Sequence, residues 1–434
     1  MGWDLKRLTG LHSSASLPSF SHREGSSVRM GEKICSNASP RLGWHESSSS
    51  KNRIDRYRPS IVLTMPRVQP FNDARRTTCE EAMKLTIPFM SSIQNPLLAV
   101  CAGLVSLAAQ APISVAQEVL RIGMIGLDTS HAPAFAKQWN ASDALGLMAK
   151  QQVVVAYPGG SPDIQSSHER VPEYTAKLAE LGVKIVDSID ALVSEVDAVV
   201  LTSLDGRRHL EQALPVLRAG KPLYLDKPLA GTLADAIAIQ KLAEKYGVKW
   251  FSSSSLRFSP SIWKYRIDPK WRDQVRGAIA WSPCSLEATH PDFFWYGVHG
   301  CETLFTVMGV GCEQVTRVSS PGTDAAIGLW AGGRIGEFRG LREGSKEYGL
   351  LVFGEKTIET GGKYEGYGPL VEEIAKFFES GVVPVTAQET IELFAFMEAA
   401  DESKRRGGAP VKIAEVLAKA SEEATLIVSR LTGP

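Results

Sequence analysis

The chain has 434 residues, with 48 Lys+Arg matched by 48 Asp+Glu and a formal net charge of zero. That balance argues against nucleic acid as the main partner, because phosphate neutralisation needs an excess of basic side chains. At 44% hydrophobic the chain can bury a sizeable core, and six cysteines are too few for a disulfide scaffold. The length suggests about two to three domains.

Residues 1–82 hold thirteen Lys/Arg against eight Asp/Glu, with serine runs at Ser13–Ser14 and Ser47–Ser50. They show no sustained apolar periodicity, so this stretch reads as disordered or as no part of the working protein. Leu85–Gln117 then contains no charged residue. Lys84 precedes it, Leu97–Ala109 is a 13-residue apolar run, and Ser114 and Ala116 form a small-residue pair. A basic start, a short apolar middle and a small-residue end read as a secretory signal peptide over residues 83–116. The run is too short for a transmembrane helix, so no stable membrane insertion is expected. The reading is that translation begins at Met83 and that the protein is exported, periplasmic or extracellular. Cys284, Cys301 and Cys312 remain in the mature part; an odd number leaves at least one thiol free or paired outside the chain. A Cys301–Cys312 pair stays open, and no metal site is expected, since none has zinc-site spacing.

From Glu118 the pattern becomes regular. Apolar runs at Glu118–Gly126, Val153–Tyr157, Val183–Val186, Ala198–Thr202, Pro222–Leu225 and Val248–Phe251 predict buried strands. Between them, Ala132–Trp139, Glu169–Leu181, Arg207–Ala219 and Ala234–Tyr246 predict helices, with Thr232 as an N-cap and Gly220 and Gly247 at C-terminal ends. Such alternation implies parallel βαβ units with ligands at the carboxyl ends of the strands. This α/β half, a doubly wound parallel sheet, spans residues 117–257.

After Arg257 the elements change to Gly277–Cys284, Gln314–Val318, Ala325–Trp330, Arg334–Arg339 and Leu350–Phe353, separated by turn residues. These predict a second α/β domain, residues 258–413, with an open, mostly antiparallel sheet and a helix near Tyr296–Met308. Pro369–Glu379 and Glu389–Arg405 predict helices, and Ile413–Leu431 a last one, set apart as residues 414–434.

Three segments carry the chemistry. Gly126-Leu127-Asp128-Thr129-Ser130-His131 follows the first strand, where a dinucleotide fold needs a tight turn and helix-start N–H groups. Asp226-Lys227-Pro228 follows the fifth strand. Tyr296-Gly297-Val298-His299-Gly300-Cys301-Glu302 opens the helix of the second domain. Together with Thr202, Ser203, His209 and Ala219-Gly220-Lys221, they resemble the glucose–fructose oxidoreductase / inositol dehydrogenase / MocA family over about residues 119–413. The resemblance implies a Rossmann domain binding NAD or NADP, followed by a substrate and oligomerisation domain. It implies Lys227 and His299 as the catalytic pair that handles the hydroxyl proton in hydride transfer. It implies Gly126, Leu127, Asp128, Thr129, Ser130, His131, Thr202, Ser203, His209 and Asp226 along the cofactor, and a sugar or polyol substrate lined by Trp295, Tyr296 and Glu302. A homo-oligomer is also implied.

The chain departs from that pattern. Aligned on Gly126, Asp128 replaces the second glycine of Gly-x-Gly-x-x-Gly and His131 the third. A carboxylate beside pyrophosphate is repelled by about 4 kcal/mol at 4 Å and an effective dielectric near 20. The second strand ends in Tyr157-Pro158-Gly159-Gly160-Ser161 with Asp163 as the first carboxylate, where an acid normally binds the ribose. Trp295 stands where the family often has an aspartate. Two other readings therefore stay open: a carbohydrate-binding protein that has lost the cofactor, and a non-redox lyase or hydrolase using Asp128, His131, Lys227 and His299.

Overall fold

A computed structural model describes residues 118–271 and 273–433. The expected signal peptide and the stretch before it lie outside the described residues.

The first half is a six-stranded, wholly parallel sheet in the order β3-β2-β1-β4-β5-β6. Its strands are β1 (Leu120–Ile125), β2 (Gln151–Tyr157), β3 (Lys184–Ile185), β4 (Ala198–Leu201), β5 (Leu223–Asp226) and β6 (Trp250–Ser253). Helices α1 (His131–Trp139), α2 (Gln165–His168), α3 (Val171–Glu180), α4 (Ile189–Ser194), α5 (His209–Arg218) and α6 (Leu233–Tyr246) connect them. The strands read as unbroken apolar runs because both faces are buried. In β4, Ala198 and Val200 enter one core while Val199 and Leu201 enter the other. Thr232 caps α6 by accepting the Asp235 N–H at 3.0 Å, and Gly247 ends it in the left-handed region.

The second half begins with α7 (Pro260–Ile267) and β7 (Val275–Pro283). A π-helical turn at Phe293–Gly297 leads into α8 (Val298–Met308), so the one expected helix is two pieces with different winding. Then come β8 (Cys312–Ser319), β9 (Thr323–Trp330), β10 (Arg334–Leu341), β11 (Gly349–Gly354) and β12 (Ile358–Gly361). The chain closes with α9 (Gly368–Ser380), α10 (Ala387–Arg405), β13 (Val411–Lys412) and α11 (Ile413–Thr432). The sheet order is β12-β11-β7-β10-β9-β8-β13; only β7–β10 is parallel. β12 and β13 carry too few apolar residues to announce themselves in the sequence.

Helix α8 lies directly on this sheet. A Cβ at Gly300 would stand 2.2 Å from Phe338 Cε2 of β10, so only glycine lets the helix come this near. Cys284, Cys301 and Cys312 are all buried free thiols, and no Cys301–Cys312 bond forms.

The last helices return to the first half. Leu370, Val371, Ile374 and Phe377 of α9 share one core with Phe135 of α1, Tyr224 of β5 and Phe251 of β6. Helix α11 packs on α6.

Candidate functional site

The carboxyl ends of β1, β4, β5 and β6 bring the expected residues together, but not in the expected roles. Gly126 makes the turn after β1 with φ +88°, and a Cβ there would fall 2.2 Å from Ser203 Oγ. The turn is therefore pressed against the loop after β4. Thr202 donates its hydroxyl to the Gly126 carbonyl at 2.6 Å, and Ser203 donates to Gln212 at 2.7 Å. His209 is fully buried, its two ring nitrogens facing the carbonyls of Ser203 and Leu229 at 2.8 and 3.1 Å. Thr202, Ser203 and His209 thus hold the loop in shape.

Asp128 turns into the protein. Its fully buried carboxylate accepts the Leu204 N–H at 2.9 Å and the Ser167 hydroxyl at 2.6 Å. Burial pushes its pKa upward, against these hydrogen bonds. The repulsive charge is withdrawn from the surface of the turn. The loop after β2 also reaches across: Ser161 donates to Asp205 at 2.6 Å, and Arg207 bridges Asp205 and Asp163. His290 Nε2, from the second half, lies 3.1 Å from Asp205, and Trp295 packs on the His290 ring at 4.9 Å. Since β1 lies between β2 and β4, these contacts form a strap over the carboxyl end of β1.

His131 starts α1 and sends its ring across to β5. Its Nδ1 lies 2.5 Å from Asp226 Oδ2. Burial opposes the Asp226 charge, but His131 and Lys227 outweigh it and lower the carboxyl pKa. An ionised carboxylate only accepts, so Nδ1 carries the hydrogen. Lys227 follows at once, joined to Pro228 by a cis peptide bond.

On the facing side, His299 of α8 shares a 2.7 Å hydrogen bond with Ser254. Ser254 is fixed in turn, because its N–H donates to Glu302 at 2.7 Å. Glu302, expected at the substrate, instead binds Arg257 at 2.6 Å and Ser253 at 2.7 Å, all buried. It positions Ser254, and through it His299. Burial holds the His299 pKa well below 6.5, and the charges of Lys227 and His131 push it the same way.

Four tyrosines connect the two histidines. Tyr296 and Tyr348 pack against His299 at 5.0 and 6.1 Å. Tyr364 follows at 6.3 Å from Tyr348, Tyr367 at 5.9 Å from Tyr364, and His131 at 4.7 Å from Tyr367. Ser130 Oγ stands 3.4 Å from the Tyr367 hydroxyl. Tyr296 was foreseen; Ser254, Tyr348, Tyr364 and Tyr367 were not, because they come from segments that carry no motif. Trp295 lies at the strap.

Lys227, His131 and His299 are 7%, 6% and 6% exposed. Lys227 Nζ and the Nε2 atoms of both histidines have no partner among the described residues. Among the described residues, the side-chain nitrogens sealed from solvent without a hydrogen bond are Arg208 Nε, Arg257 Nη2 and His290 Nε2, the last making only the ionic contact with Asp205 described above. The three site nitrogens therefore face reachable space. The arrangement suits a small hydroxylated molecule held against an amine, two imidazoles and tyrosine rings.

A dinucleotide fits one end of this site. Lys227 would offer its unpartnered amine to a nicotinamide, and Thr129 and Ser130, at the start of α1, would offer hydroxyl groups to the phosphates. At the other end no carboxylate follows β2 to take a ribose, since Asp163 is bound by Arg207.

Residues 120–254 match the model of the oxidoreductase family with an NAD-binding Rossmann fold, glucose–fructose oxidoreductase / inositol dehydrogenase / MocA. This segment is therefore similar to the Rossmann domain of that family, the same one that the sequence resembles. The chain is 35% identical over 103 residues to 4-carboxy-2-hydroxymuconate-6-semialdehyde dehydrogenase of a Sphingobium species, covering 23% of this chain and 32% of that protein. It is 39% identical over 74 residues to inositol 2-dehydrogenase of Rhodococcus erythropolis, covering 17% and 21%. These matches span a third or less of each relative. Among solved structures, scyllo-inositol dehydrogenase of Lactobacillus casei with NAD(H) and scyllo-inositol superposes with TM-score 0.56 at 16% identity, over 68% of this chain and all of that one. A probable dehydrogenase of Thermotoga maritima gives the same score at 19% identity, again over 68% and 100%. Both likenesses confirm the two-part fold.

If the strap resists a dinucleotide, Ser161→Ala should tighten NAD binding. One charge-assisted hydrogen bond is worth about 1.5–3 kcal/mol, so a rise of roughly tenfold or more is expected by calorimetry. Unchanged affinity would mean that the strap stays clear of the ligand.

Proposed function

We propose that this chain is an NAD(P)-dependent oxidoreductase that moves a hydride between the nicotinamide and a carbinol carbon of a sugar or polyol. The observation that carries the reading is the unpartnered, nearly buried Lys227 amine beside His299 at the carboxyl edge of the parallel sheet. The bound nicotinamide supplies the hydride acceptor or donor. Lys227 and a histidine handle the proton, the amine offering three donors to the reacting oxygen. The tyrosine arc offers ring faces to the apolar faces of a sugar and hydroxyls to its rim. A polyol substrate also agrees with the name of the Rhodococcus relative, an inositol 2-dehydrogenase. Lys227→Met should lower kcat by about a hundredfold or more, with the melting temperature kept, in an assay of NADH formed from cyclitols and aldoses. Retention of full turnover would remove Lys227 from the reaction.

The strap and the inward carboxylate of Asp128 favour a second reading, a carbohydrate-binding protein on the same fold without a cofactor. Calorimetry separates the two: no heat with millimolar NAD or NADP would favour the binder.

We also propose a homo-oligomer formed through the open face of the second sheet. Ile327, Leu329 and Ile335 point outward there, 40%, 39% and 56% exposed, on paired strands. Contiguous exposed apolar side chains of this kind mark interfaces. Light scattering should give a multiple of the chain mass; a single-chain mass would refute it.

Export through residues 83–116 completes the proposal. Sequencing the mature protein should find its first residue near Gln117, whereas an intact residue 83–116 segment on the purified protein would refute export.

A further inference from the structure

We propose that His131, held by Asp226, takes the proton of the reacting hydroxyl, and that His299 only binds the substrate. This rests on the oxidoreductase reading above and decides which histidine works with Lys227.

The two imidazoles meet opposite surroundings. His299 has a serine hydroxyl behind it and no carboxylate within hydrogen-bond reach. Its charged neighbours, Lys227 and His131, are cationic or become so on protonation, and it is buried. Every one of these features works against an imidazolium there. His131 has a carboxylate 2.5 Å from Nδ1. That contact fixes the tautomer, leaves the lone pair on Nε2, and compensates the charge that arises when Nε2 gains a proton. An acid behind an imidazole serves this purpose in the Ser-His-Asp triad.

Geometry places Nε2 at the site. The His131 ring stacks on Phe135 at 5.4 Å and meets the edge of Tyr367 at 4.7 Å. These contacts hold it between two rings. The groups facing it are Asp226 and Lys227 from the end of β5, His299 from α8, and Tyr367 and Ser130 at the rim. Tyr224 lies behind, 3.2 Å from the second Asp226 oxygen. Asp226 is thus a positioning residue and His131 the catalytic one.

The step balances as follows. The O–H bond of the substrate breaks and its proton joins His131 Nε2. The freed electron pair makes the second C–O bond of the carbonyl. The C–H bond breaks, and its hydrogen leaves with both electrons to the oxidised nicotinamide dinucleotide. Lys227 donates to the oxygen throughout. The imidazolium, held by Asp226, then releases its proton to solvent at its accessible edge.

The test uses the full chain, NAD, and the cyclitol or aldose that the wild-type protein oxidises best. His131→Gln should lose a hundredfold or more in kcat, keep its NAD affinity within about twofold by calorimetry, and regain part of the rate in added imidazole. Asp226→Asn keeps the ring and should lose tenfold or more without response to imidazole; it carries the test should His131→Gln fail to fold. His299→Gln should mainly raise KM. Near-normal kcat in His131→Gln, a loss that imidazole does not repair, or imidazole rescue of His299→Gln instead would overturn the assignment. If the wild-type protein neither binds NAD nor oxidises any of these sugars, the oxidoreductase reading falls first, and this one with it.

Discussion

The buried pair of Arg257 and Glu302 is the contact on which the site depends. Arg257 stands where the parallel half ends, and Glu302 lies one turn beyond His299 on α8. Arg257 also binds Glu389 of α10, which binds Arg266 of α7 in turn. Two buried acids are thus neutralised by one buried arginine, Arg257, and by Arg266 at the surface. Such a pair adds little net stability over apolar packing, yet losing one partner strands a buried charge at roughly 3–5 kcal/mol. Here the pair fixes geometry. Glu302 takes the N–H of Ser254, and Ser254 holds His299, so the histidine of the second half is fixed against the end of the first.

A different buried acid shapes the other end. Asp128 is where the family's pattern has a glycine, and its charge would oppose a diphosphate if it faced one. The fold resolves this by turning the carboxylate inward to Leu204 and Ser167. The same turn admits His131 three residues later, and the imidazole finds Asp226 across the end of β4. A departure that weakens the phosphate site and a gain of an acid–imidazole pair are therefore two results of one hexapeptide.

Much of the fold was legible because both sheets have simple periods. The buried parallel strands are unbroken apolar runs, glycines close helices such as α5 and α6 between them, and the strands of the second sheet alternate. The short strands β12 and β13 and the single-turn α2 lack enough residues to show a period. In the site, Lys227 and His299 were singled out through their motifs, and both are nearly buried side chains. Partnerships were not. That Glu302 binds Arg257, that His131 reaches Asp226, or that Tyr348, Tyr364 and Tyr367 join Tyr296 depends on contacts across dozens of residues. A single sequence carries no local signal for these.

The return of α9 to the first half has a consequence for how the chain is made. Phe251, Tyr224 and Phe135 are covered by Leu370, Ile374 and Phe377, which are synthesised more than a hundred residues after β6. At roughly 5–20 residues per second, a ribosome leaves that aromatic face open for several seconds or longer. The parallel half therefore lacks part of its cover until α9 arrives, and a nascent chain halted before α9 offers a sticky surface to chaperones and to its neighbours.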